Sequence, residues 1–116
     1  MQTMNESSEL VMSYIKALDA QDYNRAASYL SENVRIMGPG GETFRTASEF
    51  IGMLSQYRGK YDVKKVFTDG NDVCLIYEFK SSNAKAIMCS WYQVNQEKIS
   101  WVQTIFDPSP FAPPTK

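Results

Sequence analysis

The chain has 116 residues, 43% of them hydrophobic, and sets 12 basic against 13 acidic side chains for a formal net charge of −1. This length supports one domain with a core that needs neither disulfides nor a structural metal. The balanced charge, with no basic block or acidic tail, argues against nucleic acid and anionic membrane surfaces as partners, and the lack of any histidine excludes His-based triads, His general bases and most zinc sites.

The opening stretch MQTMNESSEL carries Glu6 and Glu9 and no apolar run, so the expectation is a cytoplasmic protein without a membrane span. Residues 1–116 are read as one domain with an N-terminal extension at 1–5 and a proline-rich tail at 108–116. Thr3-Met4-Asn5-Glu6 has capping-box spacing, and Leu10, Val11, Tyr14, Ala17 and Leu18 then recur at helical intervals. Asp22 can cap a second, shorter helix with Tyr23, Ala26, Ala27 and Leu30 on one face, which Ser31-Glu32-Asn33 ends. A short strand follows at 34–37, broken by Gly38-Pro39-Gly40-Gly41, a turn without phosphate-loop spacing. Thr46-Ala47-Ser48-Glu49 opens a third helix whose apolar side is Phe50, Ile51, Met53, Leu54 and Tyr57, with Gly59 as its C′ residue.

From residue 61 onward the pattern is that of strands. One runs from Tyr61 to Phe67, and three longer ones follow: VCLIYEFKSS, KAIMCSWYQV and ISWVQTIFD, separated by turn-prone stretches at 81–84 and 95–98. Two consecutive hairpins of this length make a meander whose apolar face the helices must cover. If the first hairpin folds about Ser82 and Asn83, Cys74 lies opposite Trp91 and Cys89 opposite Ile76, so the two thiols are offset. They read as free cysteines used as small hydrophobes, with a disulfide or redox role as the alternative.

The helix pair VMSYIKALDAQDYNRAASYLSENVRIMGPGG and the closing FDPSPF resemble the nuclear transport factor two-like superfamily and its SnoaL-like branch. The resemblance implies an α+β fold, a cystatin-like α+β barrel: a cone-shaped, curved, mostly antiparallel sheet wrapped around the N-terminal helices, with a pocket on the concave side. It also implies that Tyr14 stands where ketosteroid isomerase keeps an oxyanion-donating tyrosine. The two carboxyls of that enzyme fall here on Gly38 and Ser90, so its mechanism does not transfer.

With Ser90 facing inward, strand alternation turns Met88, Tyr92, Leu75, Tyr77, Val102, Thr104 and Phe106 inward too. Together with Tyr14, Leu54 and Tyr57 they form an aromatic, weakly polar pocket suited to a small apolar or aromatic ligand, without metal or cofactor. The other face carries Cys74, Ile76, Cys89, Trp91, Trp101, Gln103 and Ile105, too apolar for a solvated surface, and is read as the contact of a homodimer. Tyr14 has two readings, a core tyrosine or a ligand-facing donor, and Asp107 reads as a strand-end cap or a general base. Arg35 and Arg45 read as surface residues or as guards of the pocket mouth. The function expected is a small-molecule binding protein. The alternatives are an isomerase, cyclase or hydrolase acting on an apolar carbonyl or polycyclic substrate, and a domain serving only dimerisation.

Overall fold

The computed structural model describes residues 5–38, 41–44, 46–82 and 84–107. Helix α1 (Glu6–Asp19) starts at Asn5. The Asn5 Oδ1 accepts from the Ser8 backbone N–H at 2.9 Å and the Asn5 N–H donates to Ser8 Oγ at 2.8 Å. The box that forms is Asn5–Ser8; the one expected from Thr3 lies outside the described residues. Asn5 also donates to the Gly70 carbonyl at 3.0 Å, and Ser7 donates to Asn71 Oδ1 at 3.2 Å. These contacts pin the start of α1 to the turn between the third and fourth strands. Gln21, at a φ of 61°, turns the chain into α2 (Tyr23–Ser28), which Asp22 caps as expected.

Strand β1 (Leu30–Gly38) begins earlier than its sequence suggests. Ser31, Glu32 and Asn33 do not end a helix; they form the polar start of this strand, and Ile99 N–H bonds back to the Tyr29 carbonyl at 2.8 Å. A strand absent from the sequence reading, β2 (Gly41–Phe44), pairs antiparallel with β1. Helix α3 (Ala47–Gln56) is capped by Thr46, whose hydroxyl accepts from the Glu49 N–H at 3.1 Å.

Four strands complete the chain: β3 (Gly59–Asp69), β4 (Asp72–Ser81), β5 (Lys85–Asn95) and β6 (Lys98–Ile105). The sheet order is β2-β1-β6-β5-β4-β3, antiparallel throughout except for the parallel β1–β6 pair. Register irregularities at Val63/Lys65 and Gln93/Val94 bend the sheet. Gln96 and Glu97 both have positive φ, the backbone of a tight two-residue hairpin.

Gly59 is not a helix C′ residue but the first residue of β3. A Cβ there would lie 2.4 Å from the Lys80 carbonyl and 2.7 Å from the Phe79 ring, so glycine is required by the ring that crosses it. The core lies between α1, α3 and the concave face, with Val11, Val34, Val73, Leu75, Ile99 and Val102 fully enclosed. Among the described residues no helix is long and apolar enough to cross a membrane.

Candidate functional site

The concave face of the sheet does not close completely on the helices. A cavity of about 400 Å³ remains between them, within the size range of small-molecule sites. Tyr14 and Leu18 enter it from α1, and Phe50, Met53 and Leu54 from α3. Ile36, Met37 and Gly38 come from β1, Tyr61, Tyr77 and Phe79 from β3 and β4, Met88, Tyr92, Val102 and Thr104 from β5 and β6, and Phe106 from just past the end of β6. Tyr57 reaches the mouth, where it is 53% exposed. None of these described lining residues carries a charge.

The polar atoms of the cavity are hydroxyls. Tyr77 Oη and Ser90 Oγ are 2.9 Å apart, and Ser90 Oγ and Thr104 Oγ1 are again 2.9 Å apart. The Tyr14 and Tyr92 rings meet edge-on at 6.1 Å, and Tyr61 packs at 5.7 Å from Tyr77 and 5.0 Å from Phe79. Burial raises Tyr14, Tyr61 and Tyr92 above the ordinary phenol value of 10.0, and neighbouring phenols add to the effect. Burial raises Tyr77 as well, opposed by hydrogen bonds from Ser90, Tyr92 and Thr104. All four are therefore neutral donors at physiological pH.

Tyr14 is only 1% exposed, yet its hydroxyl, like that of Tyr61, has no hydrogen-bond partner among the described residues, whereas Tyr77 and Tyr92 share in the bonding around Ser90. The oxygen is not sealed off either, since the Trp101 indole nitrogen alone is enclosed without a partner among those residues. It therefore opens on the cavity as an uncommitted donor.

The model of the SnoaL-like domain family matches residues 11–102. This chain belongs to the SnoaL-like family. The SnoaL-like chain is similar to the crystal structure of an NTF2-like protein of unknown function from Cytophaga hutchinsonii, at 30% identity and a TM-score of 0.86 over 96% of this chain and 98% of that one. Two more distant structures share the fold. An epoxide hydrolase of M. tuberculosis, described as LEH-like, matches at 17% identity and a TM-score of 0.74 over 90% and 85% of the two chains. A cystatin fold protein from Novosphingobium aromaticivorans matches at 16% and 0.78 over 89% and 99%. No curated protein matches.

Two expected lining residues of the SnoaL-like chain do not reach the cavity. Leu75 and Ser90 point inward but are fully buried, Leu75 in the packed core and Ser90 beneath the hydroxyls that it links. Several lining residues escaped the sequence reading. For Phe50, Met53 and Leu18 the helical spacing gives an apolar side but not a place in the cavity wall. Phe79 continues the alternation of Tyr77 two residues along β4, and Tyr61 lies opposite Phe79 on β3, so the signal for both was available. Asp107 is exposed. Pro39, Gly40, Arg45, Asn83, the residues at 1–4 and the tail at 108–116 lie outside the described residues, so expectations for them stay there.

On the convex face the register is Cys74 opposite Trp91 and Ile76 opposite Cys89. Although offset, the two thiols reach each other diagonally, with sulfurs 3.4 Å apart. Burial and then the hydrogen bond to Cys89 push the Cys74 thiol up to about 11, which leaves it protonated and unreactive at neutral pH. Trp91 donates to Asp72 Oδ1 at 2.8 Å and meets Trp101 edge-on at 5.6 Å. The Arg35 guanidinium lies 5.6 Å over the Trp101 ring, and Arg35 is not among the residues that line the cavity. Phe67 (48%), Trp91 (39%) and Ile105 (63%) remain exposed, and Cys74, Ile76, Cys89, Trp101 and Gln103 are half-buried.

Proposed function

We propose that this SnoaL-like chain binds a neutral, apolar or aromatic small molecule in its cone, and that it works as a cytoplasmic homodimer joined through the convex face. The observation that carries the ligand class is the composition of the cavity wall: aromatic and aliphatic side chains, a few neutral hydroxyls, and no charge among the described lining residues. A charged ligand would leave water there without a counter-ion, which is far costlier than the loss of an ordinary hydrogen bond. Support for the dimer comes from Phe67, Trp91 and Ile105, which share one side of the sheet. Two free thiols suit a reducing compartment.

Catalysis on an apolar carbonyl or polycyclic substrate is the second reading, as an isomerase, cyclase or hydrolase. One observation favours it: the uncommitted Tyr14 hydroxyl is a donor of the kind that stabilises a developing oxyanion. It lacks an accompanying base among the described lining residues, so binding is the stronger reading.

The test uses native mass spectrometry of the purified protein, followed by thermal shift with benzophenone and with its para-carboxylate. The expected result is a dimer that benzophenone stabilises, with the carboxylate weaker by about a hundredfold or more. Equal stabilisation by the carboxylate would overturn the neutral-ligand reading, and a monomer would overturn the dimer.

A further inference from the structure

The convex face carries opposite charges at the two ends of one line across the sheet. Asp72 on β4 lies opposite Gln93 on β5, Gln93 opposite Trp101 on β6, and Trp101 beside Arg35 on β1. Side-chain contacts follow the same line. Asp72 Oδ1 accepts from Gln93 Nε2 at 3.0 Å and from Trp91 Nε1 at 2.8 Å, the Trp91 and Trp101 rings meet at 5.6 Å, and the Arg35 guanidinium lies 5.6 Å over the Trp101 ring. The line therefore runs from a carboxylate past two indoles to a guanidinium.

The two charges do not serve each other within one protomer. Three strand spacings separate β4 from β1, about 14 Å, which is farther than surface charges act on one another at physiological salt. Both bonds to Asp72 fall on Oδ1, and Oδ2 has no partner among the described residues. Asp69, opposite Asp72 on β3, adds a second carboxylate to the acidic end. Arg35 is exposed at the basic end.

A second copy of the same face matches this layout, and the charges choose how it sits. Two stacked sheets are exchanged by a two-fold axis lying in the plane between them. An axis along the line of charges would set Arg35 on Arg35 and Asp72 on Asp72. An axis along the strands, between β5 and β6, reverses the line instead, so that each Arg35 meets the partner's Asp72. Strands related in this way run nearly aligned, a common packing of two sheets face to face. The axis also passes beside the Trp91–Trp101 pair, which places the aromatic rings at the centre and the charges toward the rim, the usual anatomy of a specific interface.

We propose that the convex face receives a second copy of this chain about a two-fold axis running along the strands between β5 and β6, with Arg35 of each protomer paired to Asp72 of the other. The proposal rests on the homodimer reading above and specifies its geometry.

Two charge reversals and their mixture test it, with dissociation of the dimer followed by sedimentation equilibrium. The unaltered protein is expected to dimerise, more weakly as salt is raised, because opposite charges meet. Arg35→Asp sets carboxylate on carboxylate and Asp72→Arg sets guanidinium on guanidinium, so each variant should weaken its own dimer by about a hundredfold or more. Mixed in equal amounts, the two should form a heterodimer close to the unaltered protein in affinity, seen by native mass spectrometry between the two homodimer masses. Neither variant regains its own contact to Trp101 or Trp91 in the mixture, so recovery reports pairing between copies. If Asp72→Arg fails to fold, the residual dimer of Arg35→Asp should tighten as salt rises, the reverse of the unaltered protein. Variants that dimerise as tightly as the unaltered protein would overturn the pairing and leave the homodimer reading intact. Weakened variants that do not associate with each other would overturn it as well, since the charges would then act within the protomer. A monomeric unaltered protein would overturn both.

Discussion

The two faces of strands β4–β6 are built from alternate residues of the same three segments, and both are apolar, yet only one is covered. On the concave side Leu75, Tyr77, Tyr92 and Val102 are buried under α1 and α3. One step along each strand, Ile76, Trp91, Trp101 and Ile105 face away, and no described element lies over the protruding Trp91 and Ile105. Hydrophobic content therefore does not distinguish a covered face from an open one. What distinguishes them is whether the chain supplies its own cover.

The largest effect expected follows from the covered face. Leu75 is fully enclosed, so Leu75→Ala should lower the unfolding free energy by about 2–5 kcal/mol. Ile76→Ala, one residue away on the other face, should cost the isolated protomer far less. Urea titrations at a protein concentration low enough to hold both as monomers make the comparison. Equal losses would mean that the two faces are packed alike.

The face that is uncovered predicts a change in assembly instead. Trp91→Lys places a charge in the middle of the exposed apolar patch, beside the half-buried thiols. Light scattering should show the proposed dimer converted to monomer at micromolar concentration, with benzophenone binding in the cone preserved. A variant that stayed dimeric would shift the contact to another surface.

The alternation behind this contrast was legible in the sequence. The register expected for the first hairpin, Cys74 against Trp91, holds along the whole β4–β5 pair. Other features were not legible, for definable reasons. Period two assigns a residue to a face but not to a depth, so Leu75 and Ser90 could not be told from residues that line the void. That division depends on where α1 and α3 cross the sheet, which is non-local information. Gly59 looked like a helix end because local sequence cannot show the Phe79 ring that crosses it 20 positions later. Strand β2 is four residues long and opens on a glycine, too short for a periodic signal. At the sulfurs, register gave the offset of Cys74 and Cys89 but not the diagonal lean of their side chains.

The smallest expected change concerns Tyr14, which belongs to the covered face by burial and to the cavity by its hydroxyl. That oxygen bonds to nothing among the described residues, so Tyr14→Phe should alter stability at pH 7 by no more than about 0.5 kcal/mol, since no protein–protein hydrogen bond is lost. Benzophenone binding should weaken about five- to tenfold, the worth of one hydrogen bond to the ketone oxygen. The alkaline range gives an independent readout. In the unfolded chain Tyr14 loses its proton near 10.0, whereas burial holds the folded-state value well above that. The contribution is therefore fully present below pH 10 and is lost as pH rises beyond it, by about 1.4 kcal/mol per pH unit for each such phenol. Tyr14→Phe should accordingly flatten the alkaline fall in unfolding free energy by one phenol's share, leaving Tyr61, Tyr77 and Tyr92 to supply the rest. An unchanged alkaline slope together with unchanged ligand affinity would make Tyr14 a filler of the cone, and the uncommitted donor would have to be sought elsewhere on the cavity wall.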